Sequence, residues 1–284
     1  MSFDKDISKI EQERRLYRRR QSLKSVLISI ASTLLFIGVM ILVLRNSPGW
    51  ELVRNTFLDP YHASVSFLPV LRGLWQNVQI LGYAVLCVAI FATLLAAIRT
   101  TRSAVLFPLR GVAAIYTDFM RGIPVIVLLY LIGFGIPGLG LTETRINPIF
   151  LGTAAITMIY AAYVSEVLRA GIQSIHPSQR AAARSLGLTY GQTLRLIILP
   201  QAVRRVIPPL MNNFVAMQKD VGLVSVLGVV DAVRAAQIQT AVTFNFTSYM
   251  VAALLFVSIS WPFIRLTDWY SARVRKREEA AGTV

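Results

Sequence analysis

Cysteine is nearly absent from this chain: Cys87 is the only one in 284 residues. A disulfide framework needs paired cysteines, and a cysteine-based metal site needs several. Both are therefore excluded, and we predict no metal site. Cys87 lies inside an apolar run, where a single cysteine typically serves as a small buried apolar side chain.

Charged residues are also scarce. They make up 15% of the chain, against 55% hydrophobic residues and a mean hydropathy of +0.59. Soluble domains carry about 25% charged residues, so an ordinary soluble protein is excluded. Five runs without any charge each reach the roughly 20 residues that cross a bilayer core; they cover 25–44, 75–98, 122–142, 146–165 and 235–264. This pattern predicts an all-α, polytopic membrane protein.

Acidic residues are the rarer charge, 14 against 29 basic residues, which gives a net charge of +15. Basic residues crowd both ends of the chain, at 1–24 and 273–277, and such clusters mark the cytoplasmic side of membrane proteins. We therefore expect both termini to be cytoplasmic and the number of spans to be even. The first apolar run lacks a small-residue cleavage site, so we interpret it as a retained span, not a signal peptide.

The apolar runs and the breaks between them predict six spans. We expect a basic arm, amphipathic or disordered, over 1–24, an additional N-terminal transmembrane helix over 25–45, and an extracytoplasmic loop over 46–72. The remaining divisions are spans at about 73–98, 105–135, 149–170, 200–218 and 244–266, a re-entrant segment at 219–243 and a basic tail at 269–284. Pro124 should make the third span irregular, and Pro208 with Pro209 should break the fifth, because proline lacks the N–H that a helix needs.

A polar segment at 178–200, SQRAAARSLGLTYGQTLRLIILP, interrupts the apolar pattern. Ser178 is suited to begin a helix, and Gly187 is suited to end it in the left-handed conformation. Thr189 and Gln192 have the spacing of a capping box that begins a second helix. We call residues 178–200 the hairpin, and its arginine-rich flanks predict that it lies on the cytoplasmic side.

Two other functions share features with this sequence. A DNA-binding helix-turn-helix needs a third helix, and about 30 residues between two spans leave no room for one; nucleic acid is therefore excluded as a partner. An ion-driven secondary transporter stays open, although it leaves the exposed hairpin without a role.

Polar residues near the spans are candidates for a substrate path. Asp118 and Arg121 are three residues apart and share a helix face, which suits either a local ion pair or a path lining. Glu166 can pair with Arg169 or face the path. The other candidates are Asn212 and Asn213, which can instead satisfy backbone groups freed by proline, and Lys219, which can instead anchor a helix end.

A nucleotide site is missing. No phosphate loop of the form G-x-x-x-x-G-K-[ST] occurs, and the G-x-G-x-x-G match at 133–138 falls inside an apolar span with no preceding soluble strand. The chain is therefore not expected to be an enzyme or to bind a cofactor itself.

The hairpin resembles the cytoplasmic motif of permease subunits of bacterial ATP-binding-cassette importers, of the polar amino acid type. That motif reads Glu-Ala-Ala, three residues, Gly, nine residues, Ile-x-Leu-Pro. The matching positions are Ala181, Ala182, Ala183, Gly187, Ile197, Leu199 and Pro200, with Ala181 in place of the usual Glu. Segments 121–124, 161–175, 199–213 and 219–228 also resemble this branch, so the likeness covers about 73–268, a five-span core to which the first span is additional.

The resemblance also implies the other subunits of the transporter. A cytoplasmic ATPase dimer would bind ATP and Mg²⁺ and accept the hairpin through the seven matching residues. A second permease subunit, the same chain or a sister, would complete the path, and an extracytoplasmic solute-binding protein would deliver a small polar amino acid. Transport would proceed by alternating access in the bacterial cytoplasmic membrane, among membrane lipid.

Overall fold

The computed structural model describes residues 3–101, 103–140 and 146–280, and these form helices and short connections without a strand. Twelve α-helices occur in that part of the chain: α1 (Phe3–Arg45), α2 (Trp50–Phe57), α3 (Pro60–Thr100), α4 (Phe107–Gly122), α5 (Val125–Tyr130), α6 (Ile136–Gly138), α7 (Pro148–Gln173), α8 (Pro177–Ser185), α9 (Tyr190–Gln192), α10 (Leu199–Asp220), α11 (Ala232–Thr243) and α12 (Thr247–Ala280). Two π-helical segments (Leu131–Gly135, Thr193–Ile198) and a 3₁₀ segment (Val221–Leu227) join some of them. The all-α prediction is confirmed.

Residues 1–56 and 57–284 form two compact units. In the first unit α1 runs without a break from the basic arm into the predicted first span. The arm is therefore helical rather than disordered, while its residues 1 and 2 lie outside the described residues. The apolar side chains over 25–44 are exposed within the unit, which is typical of a helix that faces lipid.

Four described segments are long and apolar enough to cross a membrane: Leu23–Arg45, Trp50–Thr100, Pro148–Gln173 and Thr247–Val274. Two bent pairs raise the count to six if each is one span. The first pair bends by 107° between Phe107–Gly122 and Val125–Gly138, at Pro124, so the predicted irregularity of the third span is confirmed. The second pair bends by 50° between Tyr190–Leu227 and Ala232–Thr243.

The predicted loop over 46–72 is wrong in its conformation. It contains α2 and the first part of α3, which begins at Pro60 instead of about residue 73. The side chain of Asp59 accepts hydrogen bonds from the backbone N–H groups of Tyr61 (2.8 Å) and His62 (3.3 Å). An N-cap followed by proline at the first helical position is a strong helix start, and this local signal overrides the weak breaking effect of Pro69.

The predicted break in the fifth span is also wrong. Helix α10 continues through Pro208 and Pro209 to Asp220. Two missing N–H groups weaken the helix, but α10 packs against both α7 and α12, and such packing outweighs local propensity. The residues of the predicted basic tail continue α12 to Ala280, and residues 281–284 lie outside the described part.

Two contacts define the ends of the second unit. Arg99 near the end of α3 contacts Glu166 near the end of α7, so these two helices run in the same direction. The N–H of Asp59, before α3, donates to Thr247 Oγ1 at the start of α12 (3.0 Å). We call the end that carries α8 and α9 the hairpin end, and the end with Asp59 and Thr247 the opposite end. The core between them includes fully buried Ile80, Ile156 and Val224.

A buried polar network fixes the predicted re-entrant segment to α3. Asp231 is fully buried and caps α11 by accepting from the N–H of Arg234 (2.9 Å). Asn77 on α3 donates to Asp231 Oδ2 (2.9 Å) and accepts from the N–H of Ala232 (3.0 Å). Every polar group of this contact has a partner, so the segment is tied to α3 without an unpaired buried charge.

Phe244 ends α11 in a strained conformation. Its φ is 54°, the only positive φ of a non-glycine residue in the described ranges, and its side chain is 83% exposed. Glycine adopts this conformation without a Cβ penalty. Phe244→Gly is therefore expected to raise the free energy of unfolding by up to about 1 kcal/mol, measured by thermal unfolding in detergent.

A matched control is Phe246→Gly. The ring of Phe246 stacks on Phe57 with centroids 5.5 Å apart, so its loss should lower stability. A lower melting temperature for Phe244→Gly would contradict the strain argument.

Candidate functional site

The first arm of the hairpin is α8, and it begins two residues earlier than predicted. Ser178 is not its N-cap. His176 takes that position, where its ring Nδ1 accepts from the N–H of Ser178 (3.2 Å) and lies 2.7 Å from its hydroxyl, and Pro177 occupies the first helical position. Proline needs no N–H partner there, so the N-cap moves from Ser178 to His176 and the first helical residue moves from 179 to Pro177.

The turn after α8 is built as predicted from Gly187. Its φ is +77°, and its N–H donates to Arg184 O (2.9 Å) while the N–H of Leu188 donates to Ala183 O (3.1 Å). These two bonds form a Schellman motif, which requires a left-handed residue at its centre. A Cβ on Gly187 would meet no atom within 4 Å, so only the backbone conformation demands glycine.

The second arm begins with the predicted capping box. Thr189 Oγ1 accepts from the N–H of Gln192 (3.3 Å), and Gln192 Oε1 accepts from the N–H of Thr189 (2.9 Å). The arm is not a separate short helix, however. It continues from α9 through the π-helical segment Thr193–Ile198 directly into α10.

The predicted coupling residues differ in exposure. Ala181 and Ala182 are exposed, whereas Ala183 is buried and only 3% exposed. Leu199 and Pro200 are exposed and Ile197 is half-buried. The surface that a partner can reach therefore comprises Ala181, Ala182, Gly187, Leu199 and Pro200, and also Leu186, Tyr190 and Leu196, which are 79%, 58% and 59% exposed and which the motif did not single out.

Contacts hold the hairpin to the transmembrane helices. Ile198 is buried with Ile175 and Ala202 in a small apolar cluster. Arg180 donates to Ile172 O (3.1 Å), and Arg205 donates to Ser174 O (2.6 Å). These bonds cap carbonyl groups at the end of α7, and they tie the first arm of the hairpin and α10 to that end.

An ion cluster lies beside the hairpin end of α7. Glu166 pairs with Arg169 as predicted, and also with Arg99 of α3 at 2.8 Å, which the sequence did not indicate. No ion pair joins Asp118 and Arg121 in the described ranges, so the first of their two alternative roles, a local ion pair, is not formed. Both are exposed and act on the cluster only electrostatically.

Two tyrosines of α7 connect the remaining candidates. The Tyr163 hydroxyl donates to Arg121 O (3.2 Å), and the Tyr160 hydroxyl donates to Asp220 Oδ2 (2.7 Å) beside exposed Lys219. Their ring centroids are 6.0 Å apart. On α10, Asn212 is exposed and Asn213 is half-buried. Sequence reasoning missed both tyrosines as members of this group, because tyrosine in an apolar helix is equally typical of packing.

Comparisons with known proteins agree with this geometry. The family model described as "Binding-protein-dependent transport system inner membrane component" matches residues 89–276. A probable amino-acid ABC transporter permease of Bacillus subtilis, YckA, is 33% identical over 75% of this chain and 91% of its own. The probable glutamine ABC transporter permease GlnM of the same organism is 34% identical over 63% of this chain and 82% of its own.

A solved structure described as an amino acid ABC transporter with histidines superposes with a TM-score of 0.66 at 32% identity, over 72% of this chain and 94% of that one. Since the family model matches more than half of the chain, the chain belongs to the family of inner membrane components of binding-protein-dependent transport systems, as an ABC importer permease of the amino-acid type.

Proposed function

We propose that this chain moves a polar amino acid across the bacterial cytoplasmic membrane by alternating access, driven through the hairpin by a separate ATPase dimer. The observation that carries the proposal is a rigidly capped, exposed hairpin whose two arms are fixed to two different membrane helices. ATP and Mg²⁺ belong to the ATPase, and the permease itself catalyses no reaction.

The coupling step follows from the way in which the hairpin is attached. Its second arm is continuous with α10, and its first arm is bonded to the end of α7 through Arg180. Arg205 of α10 donates to the same end of α7. When two ATPase subunits close on ATP, a hairpin seated on each of them is displaced. Helices α7 and α10 move with it as packed bodies, which changes the side of the membrane to which the path opens.

Partners follow from the same arrangement. A second permease subunit, either a copy of this chain or a sister, encloses the path, and an extracytoplasmic solute-binding protein supplies the substrate at the opposite end. Both termini then lie in the cytoplasm. The relatives named for glutamine and for amino acids support a polar amino acid as the substrate class.

The substrate path is proposed to follow the side of α7 that contacts α4 through Tyr163 and the end of α10 through Tyr160. Its candidates are Asp118, Arg121, Glu166, Asn212, Asn213 and Lys219. We add Tyr160 and Asp220, whose side chains are hydrogen-bonded beside Lys219. An amino acid zwitterion needs donors for its carboxylate and acceptors for its ammonium. Arg121, Lys219 and the asparagine amides supply the donors, while Asp118, Asp220 and the amide oxygens supply the acceptors.

Gly187→Val tests the coupling. Valine is β-branched and poorly suited to φ of +77°, so the Schellman turn should open and the hairpin should lose its shape. We expect ATP-driven uptake by the reconstituted complex to fall by at least about tenfold, since a turn rearrangement of more than about 1.4 kcal/mol has that effect.

The matched control is Gly191→Val. Gly191 also lies on the hairpin with no atom near its Cβ position, but its backbone is helical. The Gly191→Val variant should therefore retain most of the ATP-driven uptake. Unchanged ATP-driven uptake by Gly187→Val, or uptake by the wild-type complex that persists without ATP, would contradict the proposed coupling.

A further inference from the structure

The chain contains no acidic residue from 167 to 219, although it has seven basic residues there. This stretch includes the end of α7, the whole hairpin and nearly all of α10. A second stretch of the second unit without acidic residues, 60–117, is longer but carries only four basic residues. The charged side chains of the hairpin are therefore all positive, and a partner that covers them must accommodate uncompensated positive charge.

Internal contacts use only some of these cations. Arg169 pairs with Glu166, while Arg180 and Arg205 donate to carbonyl groups at the end of α7. Arg184, Arg195 and Arg204 are exposed, and none of them has a hydrogen bond or an ion pair within the described ranges. Arg184 lies in the last turn of α8, Arg195 in the π-helical segment and Arg204 in the second turn of α10.

Ala181 leaves this surface without a carboxylate. It lies on the exposed side of α8, three residues before Arg184. A glutamate there, as the resembling motif usually has, would be one turn from Arg184 and would pair with it. With alanine in that place the three unpaired arginines keep their full charge for a partner.

We infer that the face of the ATPase that receives this hairpin is acidic, with carboxylates opposite Arg184, Arg195 and Arg204 around an apolar seat for Leu186 and Leu196. The inference rests on the proposed function, since it names the chemistry of the partner at the same site. Charge complementarity supports it: burial of three cations against a neutral or basic face leaves them desolvated and unpaired, which opposes assembly. The capped turn and its two exposed leucines favour a shaped protein cleft over lipid headgroups, which need no fixed shape.

The experiment measures binding of the separately purified cognate ATPase to the permease in nanodiscs of neutral lipid. We expect Arg195→Glu and Arg184→Glu each to weaken binding by about tenfold at low salt, and wild-type binding to weaken as NaCl approaches about 0.5 M. The matched control is Arg72→Glu. Arg72 is an exposed residue of α3 near the opposite end, so its reversal should leave binding of the ATPase unchanged.

The substitution Ala181→Glu decides the sign of the partner's charge, with Ala181→Gln as the control of equal size. An acidic cleft makes the glutamate variant bind more weakly than the glutamine variant, whereas a basic cleft makes it bind more tightly. Tighter binding of Ala181→Glu, or binding that is insensitive to salt, overturns the inference. So does an effect of the arginine reversals that appears only in nanodiscs of anionic lipid, because the arginines then face headgroups.

Failure of the proposed function gives a different result. In that case the wild-type permease does not bind the ATPase at any salt concentration. The Gly187→Val and Gly191→Val variants then show the same ATP-driven uptake. Binding that depends on Gly187 but is strengthened by Ala181→Glu leaves the function intact and overturns only the acidic cleft.

Discussion

Gly73→Val is expected to abolish accumulation of the folded protein. A Cβ at Gly73 would lie 2.5 Å from Ala232 N and from Asp231 O and would overlap the carbonyl carbon of Asp231. All three atoms are backbone atoms, so no rotation of a side chain relieves the clash. The start of α11 must move away from α3, which breaks the bonds between Asn77 and Asp231 and leaves a buried carboxylate without its partner.

The control lies on the same helix. Gly82 has no atom within 4 Å of its Cβ position, so Gly82→Val tests the general cost of valine in α3. We expect Gly82→Val to be recovered in amounts close to the wild type, and Gly73→Val to be lost or aggregated in size-exclusion chromatography. Equal recovery of the two variants would show that α11 does not approach α3 as closely as described.

Glu166→Gln is expected to lower the free energy of unfolding by about 2–4 kcal/mol, because it leaves two mostly buried cations without their shared carboxylate. The side chains of Arg99 and Arg169 are only 12% and 26% exposed. The amide oxygen of glutamine can accept a hydrogen bond, but it carries no charge to offset either guanidinium. Loss of the bond to Arg99 also removes a link between α3 and α7.

Asp268→Asn is the matched control. Its pair with Arg265 also spans three residues on a helix, but it is about two-thirds exposed on both sides and has an N···O distance of 4.0 Å. Such pairs contribute little. Thermal unfolding in detergent should therefore separate the two variants clearly. A role of Glu166 in the path would appear separately, as loss of uptake per folded molecule.

Local chemistry explains why the hairpin could be predicted in detail. The left-handed turn at Gly187 and the capping box of Thr189 and Gln192 each depend on residues at most five positions apart. Both can therefore be predicted from the local sequence alone. The same kind of signal, Asp59 with Pro60, was present at the start of α3, but the prolines and charges around it favoured a loop.

Long-range contacts could not be predicted in this way. Arg99 and Glu166 are 67 residues apart, and Asn77 and Asp231 are 154 apart. No periodicity links such positions, since their proximity depends on how α3, α7 and α11 pack. The prolines of α10 illustrate the converse: the local rule predicted a break, and the packing of α10 against two neighbouring helices preserved the helix.

The contact of α3 with the start of α11 also constrains how this sequence can change. Positions 73 and 77 are four residues apart on one face of α3, and both meet the short stretch at 231–232. Position 73 must be small because it lies against the backbone of 231–232. Position 77 needs an amide because it pairs with the carboxylate of Asp231 and with the N–H of Ala232. Positions 73, 77 and 231 are therefore coupled, because a larger residue at the first position displaces the groups that the other two bring into contact.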